Sequence, residues 1–244
     1  MPLWMPIPWT LVPNPQTLTT RRTIIIACFP ENYALLGHCR DPQLRRDHQV
    51  MPGALAGEDC EIVVVDNASA DDTVQRIEEF VAWNPVRLIA NEENLGFGAA
   101  VNQGAREATE DVLLMLNPDA IAEPGAVAAL LRCLETTQAG AVGGALLESD
   151  GQPARGFAFR RIPTLAELLY EVLLVNQLRP GNPVNRRYRC LDADYSQQQE
   201  VEQPAGACLA ITRTAWDSLR GFDEQFFPSG LKMSIYASGC SITV

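Results

Sequence analysis

Three short polar segments hold the residues whose types and spacing suit chemistry. Asn117-Pro118-Asp119 follows the apolar run Asp111-Val-Leu-Leu-Met-Leu116. Carboxylate and amide oxygens just beyond a buried strand are hard ligands, suited to a divalent cation shared with a diphosphate. The same tripeptide also suits a plain helix-entry turn. Asp66-Asn67-Ala68-Ser69 closes a second apolar run, Glu61-Ile-Val-Val-Val-Asp66. A carboxylate at such a strand tip accepts from a base N–H or a ribose hydroxyl, and the turn equally suits helix capping. Asn91-Glu-Glu-Asn94-Leu-Gly96-Phe-Gly98 runs into Ala99-Ala-Val101-Asn102. It looks like a dinucleotide fingerprint, but Val101 takes the third glycine position and the segment follows a third strand, not a first. A nicotinamide oxidoreductase is therefore disfavoured.

These turns need strands and helices to hold them. Thr23-Ile-Ile-Ile-Ala-Cys-Phe29 and Glu61–Asp66 read as strands covered on both faces, and Val86–Ala90 and Asp111–Leu116 as two more. Val74, Ile77 and Val81 repeat at helical spacing over 73–83, with Ser69–Asp72 fitting a capping box. A small-residue helix is predicted over 99–108. A further helix after Pro124 carries Val127, Leu130, Leu131 and Leu134 on one face. Ala139–Leu147 reads as a glycine-rich strand, and Val201–Thr212 as a strand-like return before the turn Arg220–Glu224. The alternation over 23–147 predicts an α/β fold, a Rossmann-like, mostly parallel sheet with helices on both faces. Ligands of such sheets gather at the carboxyl ends of the strands.

Composition removes several function classes. The chain has 244 residues, 47% of them apolar, and a formal charge of −11. That length supports a real core, and that charge argues against a nucleic-acid partner. No apolar run is long enough for a membrane span. Seven cysteines without a CxxC pair read as reduced, buried thiols, and His38 and His48 lie far from any partner for a zinc site. Residues 1–22 read as a loose leader without signal-peptide character, and residues 30–59 have no organisation legible from pattern. Thr164–Leu178 is an amphipathic, leucine-rich helix flanked by Arg160, Arg161, Arg179, Arg186 and Arg187. Such a helix either packs on the sheet or contacts a membrane surface or a lipid-linked ligand.

Together, IVVVDNASADDT, NEENLGFGAAVNQGA, LLMLNPDA, VEQPAGACLAITRTAW and GFDEQFF resemble the family 2 glycosyltransferases of the GT-A fold, most closely the rhamnosyltransferases of cell-surface polysaccharide synthesis. The resemblance covers residues 60–228 well and 23–39 loosely. It implies inverting transfer of a sugar, rhamnose being expected, from a nucleotide-diphosphate donor such as dTDP-rhamnose to a lipid-linked or saccharide acceptor, with Mg²⁺ or Mn²⁺. By the same resemblance, Asp66, Asn67, Ser69, Asn94, Gly96, Asn102, Asn117 and Asp119 match the donor side. Asp119 is the metal ligand, and Asn117 stands where the family's first acid would be. Gly206, Ala207, Asp223 and Glu224 match the acceptor side. The implied division is a nucleotide-sugar half over 23–147 and an acceptor half over 148–228. The expected location is cytoplasmic, with peripheral contact at the inner membrane face through 164–178.

The resemblance also implies a carboxylate base directly after Phe226-Phe227-Pro228, to take the acceptor hydroxyl's proton. No acid occurs from Ser229 to Val244, so the catalytic base is unassigned. Possible codons for Ser229–Ala237, read one base earlier, permit Leu-Trp-Phe-Glu-Asp-Val-Asp-Leu-Cys, which is the expected segment. Residues 229–244 are thus expected to be an aberrant, frameshifted tail. The rival readings are a catalytically inactive, donor-binding remnant and, more remotely, a nucleotidyltransferase. Phe29-Pro30-Glu31-Asn32 lacks the glycine-rich basic loop the last would want.

Overall fold

The computed structural model describes residues 22–28, 60–82, 86–118, 120, 122–123, 125–148, 150–226 and 242–243. The leader before Arg22, the unorganised stretch 29–59, most of the tail and the expected metal ligand Asp119 lie outside the described residues.

Four parallel strands form the framework: β1 (Arg22–Cys28), β2 (Glu61–Asn67), β3 (Val86–Asn91) and β4 (Val112–Leu116). β1 lies between β2 and β4, with Ile25 opposite Val63 on one side and Met115 on the other. Beyond β4 comes β8 (Cys208–Thr212), antiparallel, then β5 (Ala141–Gly143) and the backbone of β9 (Ile242–Thr243), giving the order β3-β2-β1-β4-β8-β5-β9. The chain first builds outward through β2 and β3, then returns to the other side of β1. That reversal between β1 and β4 opens a crevice at the strands' carboxyl ends.

Alternate residues of the buried strands face opposite layers. Ile25, Val63, Val65, Leu113 and Met115 pack against Ala100, Val101 and Ala105 of helix α2 (Phe97–Glu107) and Trp216 of helix α7 (Arg213–Leu219). Ile24, Ile26, Val64, Leu114 and Leu116 pack against Val127, Leu130, Leu131 and Leu134 of helix α3 (Ala126–Thr137), and Ile77 and Val81 of helix α1 (Thr73–Val81) also join this second layer. Each fully buried aliphatic side chain contributes about 1.5–3 kcal/mol, so the sheet is held from both sides. A Cβ on Gly104 would come within 2.5 Å of Ile25 Cγ2, so only glycine lets α2 lie this close to β1.

The fold class expected from alternation is the one observed, but four local features differ. No capping box forms over Ser69–Asp72; Thr73 N–H donates to Asp71 Oδ1 at 3.1 Å, and Ser69 N–H turns back to Asp66. Of 139–147, only Ala141–Gly143 forms a strand of the sheet, since the chain then leaves to make a bridge between Leu147 and Pro153. The return over 201–212 splits, because Pro204 has no N–H to extend a ladder. Its first part, β7 (Gln203–Pro204), pairs instead with β6 (Phe159–Arg160) in a separate ribbon. The helix expected over 164–178 breaks into α4 (Leu165–Val172) and α5 (Val175–Leu178), joined through Leu174 at φ 57°, and is followed by α6 (Pro183–Tyr188).

The described free cysteines, Cys60, Cys133, Cys190 and Cys208, are half-buried and not fully buried as expected, with Cys60, Cys133 and Cys208 at the core's margin. Burial pushes the Cys208 thiol up to about 11, so it stays protonated and unreactive. Among the described residues, no helix is long and apolar enough to cross a membrane.

Candidate functional site

Parallel pairing delivers several polar residues to one edge. Asp66 lies opposite Cys28 and Ala90, and Asn67 opposite Asn91. Leu116, paired with Ile26, directly precedes Asn117. This edge borders the reversal between β1 and β4.

Asp66 is 1% exposed. Its Oδ2 accepts the Ser69 N–H at 3.0 Å, whereas its Oδ1 is buried and has no hydrogen-bond partner among the described residues. Ala68 between them adopts a left-handed φ of 63°, a strained conformation for a residue with a Cβ. An unmatched buried acceptor costs about 1–3 kcal/mol. The turn is thus stabilised by any ligand that brings an N–H or O–H to Oδ1.

Asn67 does something different. It is 0% exposed, and both of its amide donors and both acceptor positions are used. Nδ2 donates to Asn94 Oδ1 at 2.9 Å and to the Gly96 carbonyl at 3.3 Å. Oδ1 accepts from Asn91 Nδ2 at 3.0 Å and from the Leu95 N–H at 3.2 Å. Asn94 Oδ1 in turn accepts the Gly96 N–H at 2.9 Å, with Gly96 at φ 84°. Asn67 therefore has no atom left for a ligand; it ties the Asn94–Gly96 loop to the tip of β2. Asn91 and Gln103 complete the clamp with reciprocal amide bonds of 2.8 and 3.0 Å. Sequence reasoning missed these two, because twelve positions across a strand-to-helix turn leave no local pattern.

The expected acceptor-side residues come close to this edge. The Asn117 N–H donates to the Ala207 carbonyl at 2.9 Å, and a Cβ on Gly206 would sit 3.4 Å from the Phe97 ring. Residues 97, 117 and 206–207 thus converge through the antiparallel pairing of β8 on β4. Asn102, expected with the donor loop, instead reaches the late turn. Its Nδ2 donates to Glu224 Oε1 at 2.7 Å and to the Phe222 carbonyl at 2.9 Å, and its Oδ1 accepts the Phe222 N–H at 2.9 Å. A Cβ on Gly221, at φ 73°, would lie 2.5 Å from Asn102 Oδ1, so this approach requires glycine. Asp223 Oδ1 accepts the Gln225 N–H. An open cleft of about 550 Å³ lies along α2, lined by Asn102, Arg106, Arg220, Asp223 and Glu224 among others, but neither Asp66 nor Asn117 borders it.

The opposite edge of the sheet is closed by charge. Glu61 accepts from Thr23 Oγ1 at 2.6 Å and from the Thr109 N–H at 2.9 Å, and Arg87 bridges it to Glu107 at 3.1 Å on each side. Burial pushes the Glu61 carboxyl up, but the bonds from Thr23 and Thr109 and the Arg87 charge outweigh it and hold the group below its ordinary range.

For a divalent cation, the described residues contain no cluster of three His, Cys, Asp or Glu side chains. Asn117, next in the chain but one to the expected ligand Asp119, is held at the strand tip by its N–H bond to Ala207.

Comparison with known proteins bears on this arrangement. The profile of the family described as Glycosyl transferase family 2 matches residues 23–192. The N-acetylglucosaminyl-diphospho-decaprenol L-rhamnosyltransferase of Mycobacterium tuberculosis is 30% identical over 178 residues, 68% of this chain and 56% of that protein. The dolichol-phosphate mannosyltransferase of Pyrococcus furiosus is 32% identical over 90 residues, 37% of this chain and 26% of that one. Among solved structures, the mannosyltransferase PcManGT of Pyrobaculum calidifontis, in complex with GDP-Man and Mn²⁺, superposes with a TM-score of 0.52 at 18% identity, covering 85% of this chain and 49% of that one. TarS 1-349 of S. aureus with UDP superposes equally, with a TM-score of 0.52 at 14% identity, covering 86% and 52%. The two structures share the fold with this chain. The chain spans about half the length of the rhamnosyltransferase relatives it matches.

Proposed function

This chain belongs to glycosyl transferase family 2, and from that premise we propose that it takes part in transferring rhamnose from dTDP-rhamnose to a lipid-linked saccharide, with inversion. The observation that carries the donor reading is the orphaned Oδ1 of Asp66. Thymine, like uracil, has an imide N–H, and a buried carboxylate oxygen at the tip of β2 is a suitable acceptor for such a base. The sugar and the lipid-linked acceptor are favoured by the rhamnosyltransferase relative, whose name specifies a diphospho-decaprenol substrate.

In this reading Asp66 reads the base, Ser69 holds Asp66 in position, and Asn67 fixes the Asn94–Gly96 loop through the bonds described. Asp119, with Asn117 beside it, is proposed as the ligand of Mg²⁺ or Mn²⁺. The bound cation would supply charge neutralisation for the departing diphosphate. Gly206 and Ala207, packed by Phe97 and bonded to Asn117, are proposed to shape the acceptor side together with Asp223 and Glu224. The proposed setting is the cytoplasmic face of a membrane.

Calorimetry with dTDP-rhamnose tests the reading, with UDP-GlcNAc and GDP-mannose as competitors and Mg²⁺ or Mn²⁺ present or absent. Tightest binding is expected for dTDP-rhamnose. Asp66→Asn and Asp119→Ala should each weaken it by about 1.4–3 kcal/mol, the scale of a lost charge-assisted contact. Equal affinity for all three donors, or affinity indifferent to the cation, would overturn the assignment.

One further observation favours a second reading. No Asp or Glu occurs between Ser229 and Val244, where the acceptor base is expected, and Glu224 is engaged by Asn102. The chain as written then binds donor without efficient transfer.

A further inference from the structure

The segment from Thr164 to Arg189 is built with its polarity reversed. In each of its three helices the buried residue is polar: Glu167 in α4, Asn176 in α5 and Asn185 in α6. Their bonds run inward and join the helices. Thr164 and Glu167 form a reciprocal cap, and Arg187 approaches Glu167 at 3.5 Å. Asn176 Nδ2 donates to Glu171 Oε2 at 2.7 Å, and Asn176 Oδ1 accepts from Asn182 Nδ2 at 2.9 Å. Asn185 Nδ2 donates to the Pro180 carbonyl at 2.6 Å, and Asn185 Oδ1 accepts from Arg189 Nε at 3.0 Å.

The apolar side chains face outward. Leu165 is 71% exposed, Val172 77% and Leu178 81%, with Leu168, Leu169 and Leu173 exposed between them. An ordinary surface helix turns this face to the core and its polar residues to water. The break at Leu174, in a left-handed conformation that a leucine adopts at a cost, keeps the face of α5 outside as well. Packing of this helix against the sheet, one of the two alternatives left by the sequence, is therefore not what is seen. Residues 155–189 also contain seven arginines against two glutamates, in a chain of formal charge −11. Of these, Arg155, Arg161, Arg179, Arg186 and Arg187 are exposed, with Arg186 paired to Asp192 and Arg187 to Glu167.

We propose that this inside-out helical cap is a bilayer-docking surface, inserting Leu165, Val172, Leu173 and Leu178 among the lipids while its arginines engage anionic headgroups. A run of exposed leucines, unpartnered among the described residues and flanked by arginines, has the composition of an interfacial membrane element. The proposal rests on the reading that the acceptor is lipid-linked and extends it. β6 and β7 tie the base of the cap to the strand that reaches Gly206–Ala207 two residues later. Docking through the cap would therefore present the acceptor side to the membrane.

Flotation of the full chain with phosphatidylglycerol-containing and with pure phosphatidylcholine vesicles, lacking acceptor and donor, tests the surface alone. Binding to the anionic vesicles is expected, weakened by salt and nearly lost in Val172→Asp/Leu173→Asp. Arg179→Glu should lower the partition constant by at least about fivefold, the scale for one basic residue at such a surface. The circular dichroism of each variant reports its folding, and the arginine variant serves should the double variant misfold. A chain that stays at the bottom with both vesicles overturns the proposal, as does undiminished flotation of a folded double variant. A dimer that dissociates in the double variant, without flotation of the parent, would assign the patch to a second copy and also overturn it. Donor affinity measured on the same samples separates this outcome from a failure of the rhamnosyltransferase reading.

Discussion

Two regions of this molecule satisfy their buried groups in opposite ways. Around β1, β2 and β4 the interior is aliphatic, and polar atoms gather at the strand tips, where Asn67 uses all its hydrogen-bonding capacity and Asp66 keeps one oxygen open. In the helical cap, asparagines and a glutamate are inside and the leucines face outward. The first region can be stable in water by burial alone. The second buries little apolar area and is held by polar bonds between short helices, which leaves its apolar surface for a partner. The lesson is that a leucine-rich amphipathic pattern identifies an apolar face but not what covers it.

The largest expected effect tests whether the two regions work as one enzyme. Rewriting residues 229–237 as Leu-Trp-Phe-Glu-Asp-Val-Asp-Leu-Cys, and continuing in that frame, should raise rhamnosyl transfer by about 10²–10⁴, the usual weight of a positioned general base. Single-turnover assays with dTDP-rhamnose and a polyprenyl-diphosphate-linked saccharide provide the measurement. Equal transfer by the chain as written would show that the base lies elsewhere, with Glu224 and Asp223 the nearest carboxylates.

The next effect compares the same side chain in both regions. Asn67→Ala leaves Asn94, Leu95 and Asn91 without their shared partner in the interior, so it should cost about 2–4 kcal/mol in urea unfolding. Asn176→Ala breaks bonds to Glu171 and Asn182, which are themselves exposed or half-buried so that water can replace the lost partner, and should cost only about 1 kcal/mol. Equal losses would break the comparison, because they would show the cap to be as tightly integrated as the sheet.

The smallest effect concerns the closed edge at Glu61. A carboxyl held below its unfolded value adds stability above that value, near 4.5, and loses it as pH falls through the folded value. The wild type should therefore lose more stability than Glu61→Gln as pH falls below about 4.5, with the two curves running parallel at neutral pH. Chemical denaturation across pH 3–7 reads this. A variant that retains the wild-type acid dependence would move the effect to another carboxylate.

The sequence alone was enough for the architecture. Runs such as Ile24-Ile25-Ile26 and Val63-Val64-Val65 can be satisfied only by a sheet covered on both faces, and periodic helices between them leave a mostly parallel arrangement. It also singled out Asp66 and the Asn117 turn, since an acid or amide directly after a buried run must lie at a strand tip. Tertiary structure decided what each of those residues does. Asn67 and Asp66 are neighbours of similar polarity, yet only the return of Asn91, Asn94 and Leu95 to Asn67 makes one a clamp and leaves the other with an open oxygen. Asn102 belonged with the donor loop by position and meets Phe222 and Glu224 in space, a pairing 120 residues long that no local pattern encodes. The leucines of 164–178 were legible as a face, but its direction was not. That direction depends on Glu167, Asn176 and Asn185 finding one another across three helices, a choice made by the net satisfaction of buried polar groups and not by the period of the chain.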